Sequence, residues 1–296
     1  MKIDKPKISI IIPCFNMVDY IEDTILSVIR QDYRNYEIII VDGLSNDGTL
    51  QIIEKYKDYF HLIISEKDKG QYNAINKGMK HATGDILAWL NADDKYFPWT
   101  LRHVAEFFIK NGNIHWISGA TTIMDEAGLI NGVNRNIIVK PNKFIQNGWF
   151  RGDLYGFLQQ EGMFWSKELW KDCGGIDESY KLAADFELWT RFSRKAELIS
   201  FGLPLAIFRN RTSSRSKVQK NVYSAEVDLI CKNLKSPSGL KKYFGKKNKL
   251  TSILMRKFTI RKGNVYYYSA LDSEWVLKSK YTTMSTHSFT SILSLH

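Results

Sequence analysis

The stretch ISIIIPCFNMVDYIEDTILSVIRQDYRNYEIIIVDG, residues 8–43, decides the fold. It opens with Ile8 to Ile12, β-branched and almost continuously apolar and closed by Pro13, as suits a strand buried on both faces of a parallel sheet. Asp19 can cap a following helix, on which Ile21, Ile25, Val28 and Ile29 fall at helical spacing. Tyr36 to Val41 is a second buried strand, ending at Asp42-Gly43. Strand, helix and strand in this order make a βαβ unit.

The same rhythm extends outward. A helix with Leu50, Ile52, Ile53 and Tyr56 follows the turn, and His61 to Ser65 supplies a third strand. Residues 71–81 read as a helix, and DILAWLN, residues 85–91, as a fourth strand that stops at Ala92-Asp93-Asp94. Such alternation predicts the α/β class, with a Rossmann-like doubly wound sheet whose ligands bind beyond the carboxyl ends of its strands. Those ends are Phe15-Asn16, Asp42-Gly43, the loop after Ser65, and Asn91 to Asp94. From residue 99 to 208 the pattern is mixed: a helix through Phe107, a strand at Ile114 to Ile117, a turn at Glu126 to Gly128, an aromatic stretch from Trp149 to Trp170, and a helix carrying Asp185. Arg211 to Ser216 read as a loop, and basic, mainly helical segments are expected up to about Lys280.

Polar residues at four strand ends converge in a doubly wound sheet although they lie far apart in sequence. Asp42 directly follows a buried strand, where a carboxylate can accept hydrogen bonds from a ribose or a base; with Gly43 it is also an ordinary turn pair. Asp47 reads as a helix cap. Asp93-Asp94 places two carboxylates at the binding edge, which suits a hard divalent cation and, through it, a diphosphate; the alternative is a capping turn before the helix from Trp99. Asp185 by itself reads as a helix-start acid. In the aromatic stretch, Glu161 and Trp165 are candidates for contact with a saccharide, since aromatic faces stack on sugars and a carboxylate among aromatics needs a partner. Burial in a core is the competing reading for Trp165.

SIIIPCFN, VDGLSNDGT, EKDKGQYNAINKGMKHATGDILAWLNADD and AADFELWTRF occur in an order and spacing that resembles the inverting, nucleotide-sugar-dependent glycosyltransferases of family 2, over about residues 7–208. The resemblance implies the A-type glycosyltransferase fold. It implies a nucleotide-sugar-binding half at 1–98 and an acceptor-binding half at 99–208, while the charge distribution sets 209–296 apart as a basic extension. It further implies that Pro13, Phe15 and Asp42 hold the nucleoside, and that Lys69 and Gly70 lie near the sugar nucleotide. Asn91 and Asp93 then hold the diphosphate, with Asp93 the ligand of Mg²⁺ or Mn²⁺, and Asp185 is the catalytic base. The implied donor is a UDP-sugar and the acceptor a glycan or lipid-linked saccharide of a cell-surface polysaccharide. Two positions depart from the usual pattern: Asn91 replaces a first carboxylate, and Gly43 a second acid after Asp42. The alternatives are a metal-dependent nucleotidyltransferase, which would need no base at Asp185, and a non-catalytic sugar-nucleotide-binding protein.

Composition locates rather than identifies. With 296 residues, 44% of them hydrophobic, disorder is excluded. The net charge of +11 is uneven: residues 1–208 hold 24 basic and 27 acidic side chains, residues 209–296 hold 18 and 4. Within residues 236–296, KKYFGKKNKLTSILMRKFTIRK interleaves basic and apolar residues, as a segment lying on an anionic membrane surface would, or as solvated faces of packed helices would. No diagnostic nucleic-acid motif accompanies the run, so no nucleic-acid partner is expected. Cys14, Cys173 and Cys231 form no paired pattern, which fits a reducing compartment. No apolar stretch approaches the roughly 18 residues of a membrane span. The expected place is the cytoplasm, with peripheral attachment to the inner face of the membrane as the reading of the basic segment. A glycine-rich ATPase loop is absent from the sequence.

Overall fold

The computed structural model of the chain describes residues 5–120, 122–133, 140–152, 156–234, 261–269 and 274–282. The N-terminal part alternates as its periodicity requires: β1 (Ile8–Cys14), α1 (Ile21–Ile29), β2 (Tyr36–Asp42), α2 (Thr49–Lys55), β3 (Leu62–Ser65), α3 (Gln71–His81) and β4 (Ile86–Trp89). Then come β5 (Lys95–Tyr96), α4 (Thr100–Lys110), β6 (Trp116–Ala120), β7 (Thr122–Met124), β8 (Ile130–Val133), α5 (Asn142–Gln146), β9 (Met163–Ser166) and α6 (Lys167–Cys173). The remainder is α7 (Ala184–Lys195), β10 (Ile199–Pro204), β11 (Ala206–Arg209), α8 (Arg215–Val218), α9 (Lys220–Asn233), β12 (Arg261–Ser269) and β13 (Glu274–Thr282).

Nine strands form a mixed sheet in the order β13-β12-β10-β6-β9-β4-β1-β2-β3, and β5-β11-β7-β8 form a smaller one. β1 is parallel to β2 and β4, whereas β9 is antiparallel to both β4 and β6. The near-continuous apolar strands divide their residues between two cores because successive side chains point to opposite faces. Ile11, Ile39, Val41, Leu87 and Trp89 pack with α3, α5 and α7. Ile10, Ile12, Ile38, Ile40 and Ala88 pack with α1 and α4 on the other face.

Three local expectations are corrected. β1 continues past Pro13 to Cys14: Pro13 lies beyond the last β1–β4 pair, Ile11 with Trp89, where only β2 flanks the strand and a proline is tolerated. Asp19 does not cap α1, whose entry is tied by Tyr20 and Ile21 amides donating to Met17 O. The basic region is not mainly helical over its described part. After α9, β12 and β13 form an antiparallel hairpin, and β12 adds to the sheet beside β10. The sequence Val265-Tyr266-Tyr267-Tyr268 followed by Trp275-Val276-Leu277 favours strands. Trp275 stacks on Phe201 with ring centroids 3.8 Å apart, and Tyr266 meets Phe107 edge-on. The lysine-rich run of 241–249 lies outside the described residues. No helix among the described residues is long and apolar enough to cross a membrane.

Candidate functional site

At the carboxyl end of β2, Asp42 is fully buried and accepts from Ser45 N at 3.1 Å and from Ser65 Oγ at 2.8 Å. Its carboxylate therefore fixes the β2–α2 turn and ties it to the end of β3. Asn16 N donates to Ser45 Oγ and Asn46 N to Asn16 Oδ1, latching the β1 loop to the β2 loop. Asp47 stands one residue before the N-cap, Gly48, and accepts from Thr49 N and Oγ1 at the start of α2 and from Val18 N of the β1 loop, so it braces the helix entry without occupying the cap position. Pro13 is buried, whereas the Phe15 ring is 55% exposed and stands open beside this turn. A Cβ on Gly43 would lie 2.7 Å from Asp68 Oδ2 and 3.3 Å from the Phe15 ring. The Asp68 carboxylate thus fills the place where a side chain at position 43 would project, which sequence reading missed.

The loop before α3 is shaped by that same aspartate. Gly70 has φ +119° and donates its N–H to Asp68 Oδ1, while Lys69 N donates to Asn73 Oδ1. The first residue of α3 reaches the β4 end: Gln71 Nε2 donates to Asn91 Oδ1 at 2.7 Å, and Asn91 Nδ2 donates to Asp94 Oδ2 at 3.0 Å. Asp94 also accepts from Arg209 N and is fully buried; burial, with Asp93 and Glu161 nearby, pushes its carboxyl well above the usual range. Asp94 is therefore part of the scaffold, and the pair of carboxylates expected for a cation reduces to Asp93. Asp93 Oδ2 accepts from Arg211 Nε at 2.7 Å. Among the described residues no three His, Cys, Asp or Glu side chains converge on a metal position. One carboxylate does fit a hard divalent ion of the kind that keeps several waters and takes substrate phosphates, and does not fit an all-protein cage.

Asp185 sits in the first turn of α7, where Oδ1 accepts from Phe186 N at 2.8 Å and lies 3.2 Å from the Tyr72 hydroxyl of α3. Burial pushes this carboxyl up to about 6, with the Phe186 amide and Tyr72 pulling the other way. Glu161 is buried, whereas Asp185 keeps part of its surface exposed. Burial, reinforced by the charges of Asp93 and Asp185, pushes it up to about 7 against the opposing pull of Lys140. Lys140 donates to Ser118 Oγ at 2.7 Å, and burial brings its ammonium down to about 8. Glu161 is thus electrostatically linked both to the Asp93 end of β4 and to Asp185. Trp165 is corrected: it has no exposed surface and packs among Trp89, Trp189 and Phe192, so its ring belongs to the core.

Two further arginines complete the β4 end. Arg209 is almost wholly buried and donates from Nε to Asp93 O, from Nη1 to Glu126 O and from Nη2 to Asp23 Oδ2. The guanidinium groups of Arg209 and Arg211 lie 5.1 and 4.9 Å from the Tyr20 ring centroid. Both fall at the start of the basic extension at 209–296, Arg211 in a segment expected as a loop, and their sequence distance from Asp93 carries no signal of this contact.

Glycosyl transferase family 2 matches over residues 9–167. TuaG of Bacillus subtilis strain 168, named for teichuronic acid biosynthesis, is 38% identical over 109 residues; the match spans 36% of this chain and 43% of TuaG, less than two thirds of its length. Staphylococcus aureus TarS, in complex with UDP-GlcNAc, superposes with a TM-score of 0.60 at 19% identity, over 85% of this chain and 76% of that one. The mannosyltransferase PcManGT of Pyrobaculum calidifontis, in complex with GDP-Man and Mn²⁺, superposes with a TM-score of 0.55 at 18% identity, over 79% of this chain and 66% of that one. The family match covers more than half of the chain, the fold superposes on these structures, and the chain belongs to glycosyl transferase family 2 with the A-type glycosyltransferase fold.

Proposed function

We propose that this chain is an inverting glycosyltransferase that moves a sugar from a UDP-sugar to a hydroxyl of a glycan or lipid-linked saccharide in cell-surface polysaccharide biosynthesis. The observation that carries this reading is the Asp185 carboxylate in the first turn of α7, held by the Tyr72 hydroxyl and the Phe186 amide. The UDP-GlcNAc complex of TarS supports the donor class, and the name of TuaG supports the polysaccharide context.

In this reading the exposed Phe15 ring stacks on the base, with Pro13 shaping the end of its strand. Asp42 and Asp68 border the ribose, and Lys69 and Gly70 lie along the sugar nucleotide. Asn91 and Asp93 face the diphosphate. A Mg²⁺ or Mn²⁺ ion, when bound through Asp93, offsets the diphosphate's negative charge. The acceptor oxygen attacks the anomeric carbon from the face opposite the leaving group. The bond from that carbon to the β-phosphate oxygen breaks, and its electron pair leaves with the nucleoside diphosphate. The hydroxyl proton passes to Asp185, a base whose proton affinity rises above that of an ordinary aspartate through burial. Glu161 borders the acceptor hydroxyls. The basic residues before β12 support peripheral attachment to an anionic membrane at its cytoplasmic face.

The test is incubation with Mg²⁺ or Mn²⁺ and a panel of nucleotide sugars, following nucleoside diphosphate release with and without saccharide acceptors. Acceptor-dependent release of UDP, with inverted configuration in the product, is the expected result. Release of pyrophosphate would identify nucleotidyl transfer and overturn the reading.

A further inference from the structure

The carboxylate assigned to the diphosphate and its ion already holds a cation of the protein's own. Arg211 Nε lies 2.7 Å from Asp93 Oδ2, and both side chains are only 12% exposed. A pair so shielded is unlike an exposed ion pair, which salt and side-chain entropy reduce to little.

The two neighbouring arginines differ in how far their donors are committed. Arg209 spends Nε and both terminal nitrogens on three fixed acceptors. Arg211 spends Nε on Asp93, reaches Ser213 Oγ only at 3.4 Å, and has its Cζ 4.9 Å from the Tyr20 ring centroid. Its backbone is nevertheless moored: Lys217 Nζ donates to Arg211 O at 2.6 Å, and Thr212 donates to Glu126 through both N and Oγ1. A fixed backbone with an only partly committed guanidinium is a side chain that can pivot. Asn91 contributes no charge beside it, so the guanidinium of Arg211 is the direct counter-charge of the Asp93 carboxylate. A planar, permanently charged fork matches phosphate oxygens in bidentate fashion.

We propose that Arg211 is a ligand of the donor's diphosphate: it neutralises Asp93 in the free protein and turns to the diphosphate when the donor binds. A divalent ion and Arg211 then compete for Asp93, and a nucleoside diphosphate is held even without the ion. This rests on the nucleotide-sugar reading above.

Two binding measurements on the full chain test it. The first is calorimetric titration with UDP and UMP in the presence of EDTA. Wild type should prefer UDP by about tenfold, and Arg211→Gln should lose most of that preference while UMP affinity is unchanged. The second is Mn²⁺ titration without nucleotide, read by electron paramagnetic resonance. Removal of the competing guanidinium in Arg211→Gln should tighten Mn²⁺ binding by about fivefold or more. Arg211→Lys, which keeps the charge but not the fork, should weaken UDP about threefold in EDTA and leave Mn²⁺ affinity near wild type, so the comparison survives if the glutamine variant folds poorly. UDP affinity in EDTA that is the same for wild type and both variants overturns the proposal, as does Mn²⁺ affinity that ignores the loss of Arg211. UDP binding that needs Mn²⁺ and ignores Arg211 sinks this inference alone, whereas a folded wild type that binds neither nucleotide under any condition sinks the nucleotide-sugar reading with it.

Discussion

A carboxyl that titrates at about 6 is a base at neutral pH and loses that capacity as acid is added. For Asp185 the sign follows from burial, which raises its proton affinity, so wild-type kcat/KM for transfer should climb with pH through a midpoint near 6 and level off above it. Asp185→Asn should reduce kcat by about a hundredfold or more while donor affinity stays within about twofold, because the side chain keeps its size but cannot take the proton. A variant that transfers sugar at the wild-type rate removes Asp185 from the mechanism. Glu161→Gln should raise the acceptor KM by about tenfold with donor affinity unchanged, as measured by varying each substrate separately. Several of these residues were legible in the sequence because each ends a strand or begins a helix of recognisable pattern. Asp68, Tyr72, Arg209 and Arg211 were not, since their roles arise from contacts through space: Asp68 stands over Gly43, and Arg211 meets Asp93 from the far side of the chain. Of the two readings open for Trp165 the structure selects the core, a choice invisible in sequence because an aromatic residue beside polar ones looks the same whether it faces a ligand or a core.

At the scale of elements, β1, β2 and β4 were readable because strands covered on both faces must be apolar at nearly every position. α3 was readable over its full span, 71–81, and the structure bounds it with Gly70 at a positive φ and Ala82 in extended backbone. β12 and β13 were not, because the basic run that precedes them suggested helices and masked the aromatic and β-branched residues of Val265 to Tyr268 and Trp275 to Leu277. One buried group ties three of the readable elements together. Glu37 on β2 accepts from Ser9 Oγ on β1, from Thr83 N and Oγ1 after α3, and pairs with Lys7 Nζ at 2.5 Å. Burial opposes its ionisation, but the bonds from Lys7, Ser9 and Thr83 outweigh it and hold the carboxyl at about 2, below its ordinary 4.5. A lowered folded-state value means stability that is present above about 4.5 and is lost as pH falls toward 2, on the order of 3 kcal/mol in all. Glu37→Gln should therefore unfold at lower urea concentration than wild type at pH 7, and the two midpoints should approach each other below about pH 3. A difference that stays constant with pH would show that shape, and not charge, is what Glu37 contributes.

At the scale of the whole molecule, the excess of positive charge divides into parts with separate duties. Its first members, Arg209 and Arg211, are built into the β4 end and meet Asp93. Its last described members lie in a hairpin that continues the sheet beside β10, where Trp275 covers Phe201 and Phe107. Between them lies KKYFGKKNK, residues 241–249, part of the segment 236–296 proposed to meet an anionic membrane. Truncation after residue 234 would remove the hairpin together with that run, so it cannot separate packing from attachment. Truncated protein should melt several degrees lower and aggregate, since loss of the hairpin uncovers aromatic surface and a strand edge at β10. Replacing Lys241, Lys242, Lys246, Lys247 and Lys249 by glutamine leaves the hairpin whole. At about 1 kcal/mol for each basic residue near an anionic surface, that variant should bind phosphatidylserine vesicles at least about tenfold more weakly than wild type, with its melting temperature unchanged. Vesicle binding equal to wild type would take attachment away from this run, while a lowered melting temperature in the truncated protein alone would leave the hairpin's part in holding the fold intact.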